Sequence, residues 1–306
     1  MHLFCNNVTQ SSSHLFLHQP RQRHPIKPLH ASREETRVRL RARVRVRQTI
    51  EPPRLPLRRR SRSRNNAKHQ AQLQQKSTAM SAPGQTATPP PDAKISAADG
   101  RSYWQGVDAD VNGMLGGFPY ISKVDLQGSR NFLAKMGIGS KSGLRTVSRA
   151  LEGGAGIGRI TEGFLLDVAE QVDIVEPIAK FTAALQEKPG VGSVFNIGLE
   201  EWKPLEGIAY DLVWNQWCLG HLTDDQLVDY LRRCKAVIAP TDGVIVVKEN
   251  LSTGGVDLFD DVDSSVTRVD EKFRALFEQA GLRLVKTELQ RGFPKELFPV
   301  RMYALK

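Results

Sequence analysis

The stretch "FDDVDSSV", residues 259–266, sets three carboxylates, Asp260, Asp261 and Asp263, within four positions. Acids so grouped can hold a metal, bind a cationic substrate, pair with a basic segment or open a helix. No calcium-loop pattern follows them, and a helix does follow in the pattern, so Asp263, Ser264 and Ser265 are expected just ahead of its first turn. A second constellation is "EGGAGIGR", residues 152–159. There an acid, Glu152, precedes Gly154, Gly156 and Gly158. Glycines in such a turn let the backbone approach a ligand closely, and the helix they open favours negative charge at its N-terminus. Glu176 follows about 20 residues on, at the spacing of an acid that takes ribose hydroxyls. The turn alone suits a dinucleotide dehydrogenase equally well. His221 completes the set, because the other six histidines lie before residue 80. It is the only side chain of the body whose ordinary pKa lies near neutrality.

Alternating strands and helices must position these groups. "RTVSRALEGGAGIGRITEGFLLDVAEQ" reads as strand, glycine turn and helix, and "VDIVEP" as a short buried strand ended by Glu176. "IAKFTAALQE" has helical periodicity, while "GSVFNIGLEEW" and "YDLVWNQW" are strand-like. "TDDQLVDYLRRCKAVI" is an amphipathic helix with Thr223 as its N-cap and two acids in its first turn. "GVIVVKEN" is a buried strand, "VDEKFRALFEQAG" a helix ending at Gly281, and "LRLVKTEL" and "VRMYALK" are closing strands. This order predicts a parallel α/β sheet with ligands at the carboxyl ends of its strands.

Charge divides the chain of 306 residues. Residues 1–79 carry 18 Lys/Arg against Glu34, Glu35 and Glu51; the rest carries 25 basic against 30 acidic residues. The net +10 therefore belongs to a basic arm, and the body is mildly acidic. With the Pro-rich lead-in, the arm is expected to be disordered over 1–99, ahead of a single domain at 100–306. Four readings of it stand open: a solvated tail, a transit peptide, a nuclear-targeting or nucleic-acid-binding run, and an upstream extension before a start at Met80. Cys5, Cys218 and Cys234 lack paired spacing, so neither a disulfide framework nor a zinc site is expected and a reducing compartment is the default. No apolar run approaches the ~18 residues of a membrane span.

Longer motifs narrow the choice. "YWQGVDADVNGMLGGFPYISKVDLQGSRNFL" (103–133), "GAGIGRIT" (154–161), "WNQWCLGHLTDDQLVDYLRRCK" (214–235), "VVKEN" (246–250) and "LFDDVDSSVTR" (258–268) resemble the eukaryotic alpha N-terminal protein methyltransferases. The resemblance covers the body from about residue 100 to the C-terminus. It implies a class I S-adenosylmethionine-dependent methyltransferase fold, Rossmann-like, with seven strands, the last antiparallel, under an N-terminal helical lid. It implies methylation of the α-amino group of proteins that begin X-Pro-Lys or X-Pro-Arg, with no metal and no membrane, by a monomer in the cytoplasm or nucleus. Nucleic acid would be met only through the arm.

By position, the resemblance puts Gly154, Gly156 and Arg159 at the methionine part of the cofactor, with Arg159 on its carboxylate as a fork. Glu176 would take the ribose, Leu199 and Glu200 would lie near the adenine, and Gln216 would close the site. Trp104, Leu115, Gly116, Ile121, Trp217 and Ser265 would line the peptide groove. Asn250 and Asp263 would hold the α-amine beside His221, with Asp260 toward the third-position Lys or Arg. Glu152 and Glu176 stand where the family has Asp, and Glu200 where it often has Gln. Three other readings remain at this stage: a methyltransferase acting on RNA or another amine, an NAD-dependent oxidoreductase, and a binding module without activity. The body has neither a hydride-transfer pair nor the N/D-P-P-Y/F/W signature of base methylation, and its acidity opposes phosphate.

Overall fold

A computed structural model describes residues 89–306. The arm, Cys5 and Met80 lie outside the described residues. Seven strands form one sheet: β1 (Val147–Gly153), β2 (Ala169–Val175), β3 (Val191–Phe195), β4 (Leu212–Gln216), β5 (Val244–Asn250), β8 (Leu284–Leu289) and β9 (Val300–Leu305). Their order is β3-β2-β1-β4-β5-β9-β8. The closing strand β9 runs antiparallel to both β5 and β8, and the other pairings are parallel. The chain winds outward from β1 to β3, then returns to place β4 on the other flank of β1. That reversal opens a crevice beyond the carboxyl ends of β1 and β4, the usual ligand position in such sheets.

The central strands read as unbroken apolar runs because both faces are covered. Along β5, Val244 and Val246 join one core with Phe132, Phe164, Trp214 and Met302. Ile245 and Val247 join the other with Leu227, Leu231, Phe273 and Tyr303. Two helices supply that second face, α6 (Asp224–Val237) and α7 (Asp270–Gln279). Thr223 caps α6, as its sequence predicts, and Gln226 completes a capping box with it.

Among the described residues, three α-helices precede the sheet: α1 (Ala97–Gly106), α2 (Val111–Met114) and α3 (Ser122–Ala134). A boundary at 99/100 falls inside α1, whose first turn is capped by Ser96. The segment before it is also tied down: Asp224 N–H donates to Asp92 Oδ2 at 3.0 Å and Ser96 N–H to Ser264 Oγ at 2.8 Å.

Two expected helices are short. After the glycine turn, α4 (Arg159–Gly163) gives way to a 3-10 turn at Leu165–Asp167. Here α3 comes close, since a Cβ on Gly163 would meet Leu126 Cδ1 at 2.8 Å. The periodic segment after β2 keeps only α5 (Ala179–Thr182) as helix. The acidic stretch departs furthest from expectation. It is a hairpin, β6 (Leu258–Asp260) and β7 (Ser265–Thr267), and α7 begins only at Asp270 after Val269, which makes no side-chain cap. Helix capping by Asp263, Ser264 and Ser265 is therefore corrected to a hairpin turn, in which Ser264 takes φ +55°.

Candidate functional site

The crevice is a cleft with about 1040 Å³ of empty space out to its mouth, at the upper end of ligand sites, roughly 300–1,000 Å³. Its floor is the glycine turn. Gly154 (φ +67°) and Gly156 (φ +56°) sit in the left-handed region. A Cβ on Gly154 would overlap the Cys218 Cβ, and one on Gly156 would meet Met114 Sδ at 2.8 Å. Only glycine fits both conformation and space, which leaves the backbone bare to the cleft.

Acids line this floor. Glu176 accepts from Gly156 N–H and Ile178 N–H, both at 2.8 Å, one on each oxygen. Each oxygen keeps a lone pair for a ligand hydroxyl. Burial raises its pKa, and the two N–H groups pull it back. Glu152 is buried beneath the turn and accepts from the Thr161 hydroxyl. Burial pushes it up to about 8, against Thr161 and the Arg159 charge. Burial disfavours its anion, and a ligand cation in the cleft would restore it.

Arg159 lines the cleft but is not free. Its Nη1 donates to Asp125 Oδ2 at 2.8 Å, and its guanidinium lies 5.4 Å from the Trp217 ring centre. Asp125, fully buried on α3, also takes Gln216 Nε2 at 2.9 Å and pairs with Lys248 Nζ at 2.5 Å. Gln216 spends its Oε1 on Trp214 Nε1 at 3.2 Å. Gln216 therefore walls the cleft with a fixed amide. Sequence reading missed Asp125 and Lys248. The one available signal was an acid on the apolar face of α3. Burial lowers Lys248 to about 8, against the pull of Asp125. Two cations on one carboxylate leave this cluster with one positive charge in excess, beside the place expected for a carboxylate ligand.

Leu199, 5% exposed, continues the cleft as an apolar wall with Ile178 and Phe181. Glu200 turns its Oε1 to Arg101 Nη2 at 2.5 Å, and Glu201 joins at 3.1 Å, so α1 is strapped across this end.

At the other end, Trp104 of α1 donates its indole N–H to His221 Nε2 at 3.0 Å. This bond assigns the neutral ring's proton to Nδ1. Nδ1 is buried and approaches the Ser264 backbone without hydrogen-bond geometry. Burial lowers the His221 pKa, and the Asp263 charge opposes that shift. Asp263 sits in the β6–β7 turn and accepts from Ser265 Oγ at 2.7 Å on Oδ1. Asn250 ends β5, half-buried. Trp217 holds φ +54° directly after β4, a conformation uncommon outside glycine, and lines the cleft with Trp104 and Leu115. Asn250, Asp263 and Ser265 lie just off its wall, and so do Gly116, Ile121 and Asp260. Gly116 (φ +60°) and Ile121 belong to the α2–α3 connection. Asp260 is exposed, and its Oδ1 accepts Val262 N–H at 2.9 Å within its own hairpin.

Three comparisons bear on this arrangement. A family model described as AdoMet dependent proline di-methyltransferase matches residues 92–306. Alpha N-terminal protein methyltransferase 1 of Schizosaccharomyces pombe is 48% identical over 214 residues, covering 68% of this chain and 94% of its own length. N-terminal Xaa-Pro-Lys N-methyltransferase 1 of Mus musculus is 40% identical over 220 residues, covering 70% of this chain and 97% of its own. A solved SAM-dependent methyltransferase from Leishmania major superposes with a TM-score of 0.61 at 38% identity, covering 68% of this chain and 82% of that one.

Proposed function

The chain belongs to the AdoMet-dependent proline di-methyltransferase family, and from that premise we infer that it methylates the α-amino group of proteins with exposed X-Pro-Lys or X-Pro-Arg N-termini, using S-adenosylmethionine. The observation that carries this reading is one cleft joining two halves. A glycine turn between Glu176 and Arg159 forms one half, and a tryptophan-walled end beside His221 and Asp263 forms the other.

The donor set fits the cofactor. Glu176 offers acceptors for vicinal hydroxyls, Arg159 a guanidinium for a carboxylate, Glu152 an acid for an ammonium, and Leu199, Ile178 and Phe181 an apolar slot for a base. Bound there, the cofactor supplies an electrophilic sulfonium methyl group. The protein's task is then to hold a neutral amine in line and accept its proton. A substrate α-amine with a pKa near ~7.7–8.0 is partly neutral at working pH, so only modest base strength is required. The Trp104 indole occupies His221 Nε2, and Nδ1 carries the ring proton. Asp263 is therefore the better proton acceptor, with Asn250 orienting the amine and neutral His221 filling the wall behind it. Trp104, Trp217 and Leu115 give flat apolar walls for a proline ring. Buried free Cys218 and Cys234 suit a reducing compartment, cytoplasm or nucleus.

Incubating the full chain with labelled S-adenosylmethionine and the peptides SPKRIA and SAKRIA tests the reading. SPKRIA is expected to be methylated and SAKRIA much less. Equal labelling of both, or labelling of RNA alone, overturns it.

A pH dependence follows from Glu152. In the free protein its carboxyl is protonated up to about 8. A ligand ammonium beside it favours the anion, so binding releases a proton below that pH. Affinity for S-adenosylhomocysteine is then expected to rise with pH, by at most tenfold per unit, and to level off as Glu152 ionises. Calorimetry in buffers of different ionisation heat reads the released proton, and Glu152→Gln removes it. Binding without proton release in the wild type refutes the assignment.

A further inference from the structure

The residues assigned to the amine sit on three separate segments: Asn250 at the end of β5, His221 on the 3-10 turn Leu219–His221, and Asp263 in the β6–β7 turn. Two buried charged side chains outside the cleft wall join them. Glu249, the residue before Asn250, is 5% exposed, and its Oε1 accepts the N–H groups of Cys218 and Leu219, both at 2.9 Å. Arg268, the residue after β7, is fully buried. It donates Nη1 to Leu219 O at 3.0 Å, Nη2 to Leu222 O at 2.6 Å and Nε to Asp224 Oδ1 at 2.9 Å. Leu219 is thus gripped at its N–H from β5 and at its carbonyl from β7. Arg268 O also accepts Ser252 N–H at 2.9 Å, which closes the link between the exit of β5 and the hairpin.

The turn needs such a grip. It follows Trp217, whose left-handed backbone persists only where the surroundings over-determine it. Carbonyls and N–H groups of a buried turn also need partners, and the Arg268 guanidinium and the Glu249 carboxyl supply them; burial pushes Glu249 up to about 7, against the pull of the Leu219 and Cys218 N–H groups.

We propose that Glu249 and Arg268 are a positioning pair that clamps Leu219 and so sets the spacing of Asn250, His221 and Asp263 around the substrate amine. The inference rests on the reading of this cleft as the site of N-terminal methylation. Neither side chain lines the cleft, and their backbone partners Cys218 and Leu222 meet it at the end nearer His221, so their loss should cost the transfer step much more than cofactor binding.

The test uses the full chain with Glu249→Leu, which removes the acceptor of both N–H groups, and, separately, Arg268→Lys, which keeps the charge but loses the fork. Four quantities are measured: thermal stability, S-adenosylhomocysteine affinity, kcat and KM for SPKRIA, and the His221 titration by NMR of labelled histidine. His221→Asn identifies the signal. Expected are cofactor affinity within about threefold of wild type and kcat/KM lower by on the order of 100-fold, the scale of a misplacement near 1 Å. His221 should titrate closer to its ordinary value once its turn loosens. The double variant should fall little below the worse single, since both act on Leu219. Cofactor affinity falling in step with kcat/KM overturns the proposal, as do unchanged peptide kinetics. Should the wild type methylate no X-Pro-Lys peptide, the functional reading fails. The clamp is then decided by the His221 titration, and a wild-type curve in both variants refutes it.

Discussion

Asp263→Asn is expected to lower kcat for an X-Pro-Lys peptide by roughly 100-fold or more, the scale of one lost general base, with cofactor affinity nearly unchanged. Asparagine keeps the shape of the side chain and one acceptor for the Ser265 hydroxyl, but removes the charge. The effect is large because the neighbouring histidine cannot substitute. His221 Nε2 is held by Trp104 at 3.0 Å, and burial disfavours its protonation. Single-turnover kinetics with preloaded cofactor, beside calorimetry with S-adenosylhomocysteine, separate the two effects. An unchanged transfer rate would remove Asp263 from the proton path. Asp260→Ala gives the contrast. That carboxylate is exposed and caps Val262 N–H. An exposed ion pair is worth roughly 0.2–1 kcal/mol, so the peptide KM should rise only a few-fold with kcat unaffected.

Glu176→Ala is expected to weaken S-adenosylhomocysteine binding by at least about 100-fold. Two hydroxyls on one carboxylate make two charge-assisted hydrogen bonds, each about 1.5–3 kcal/mol, and about 1.4 kcal/mol is a factor of ten. Alanine also releases Gly156 N–H and Ile178 N–H, which loosens the glycine turn. Glu176→Gln keeps one acceptor oxygen and should lose less. Equilibrium binding on variants shown by thermal unfolding to be folded measures both. A loss under about tenfold in the alanine variant would take the ribose away from Glu176.

Much of this protein is local chemistry, and that part is legible in residue order. The apolar runs of β4 and β5 announce strands buried on both faces, because alternate side chains enter opposite cores. Thr223, ahead of two acids, marks the start of α6. Gly154 and Gly156 mark a turn that no side chain tolerates, and Glu176 stands at the strand end where its spacing puts it. Each of these follows from backbone constraint or periodicity within a few residues.

What the order of residues could not determine is which buried charge meets which partner. Lys248 finds Ser129, and Trp104 finds His221, across 119 and 117 positions of chain. Arg268 and Glu249 meet on Leu219 from two different segments. The hairpin at 258–267 likewise replaces an expected helix approach because it packs against the Leu219–His221 turn, where a Cβ on Gly220 would meet Val266 O at 3.1 Å. An isolated charge in a sequence looks the same whether it ends in water or in a core. Desolvation makes the buried case costly without a partner, and only the folded chain brings that partner within hydrogen-bond reach.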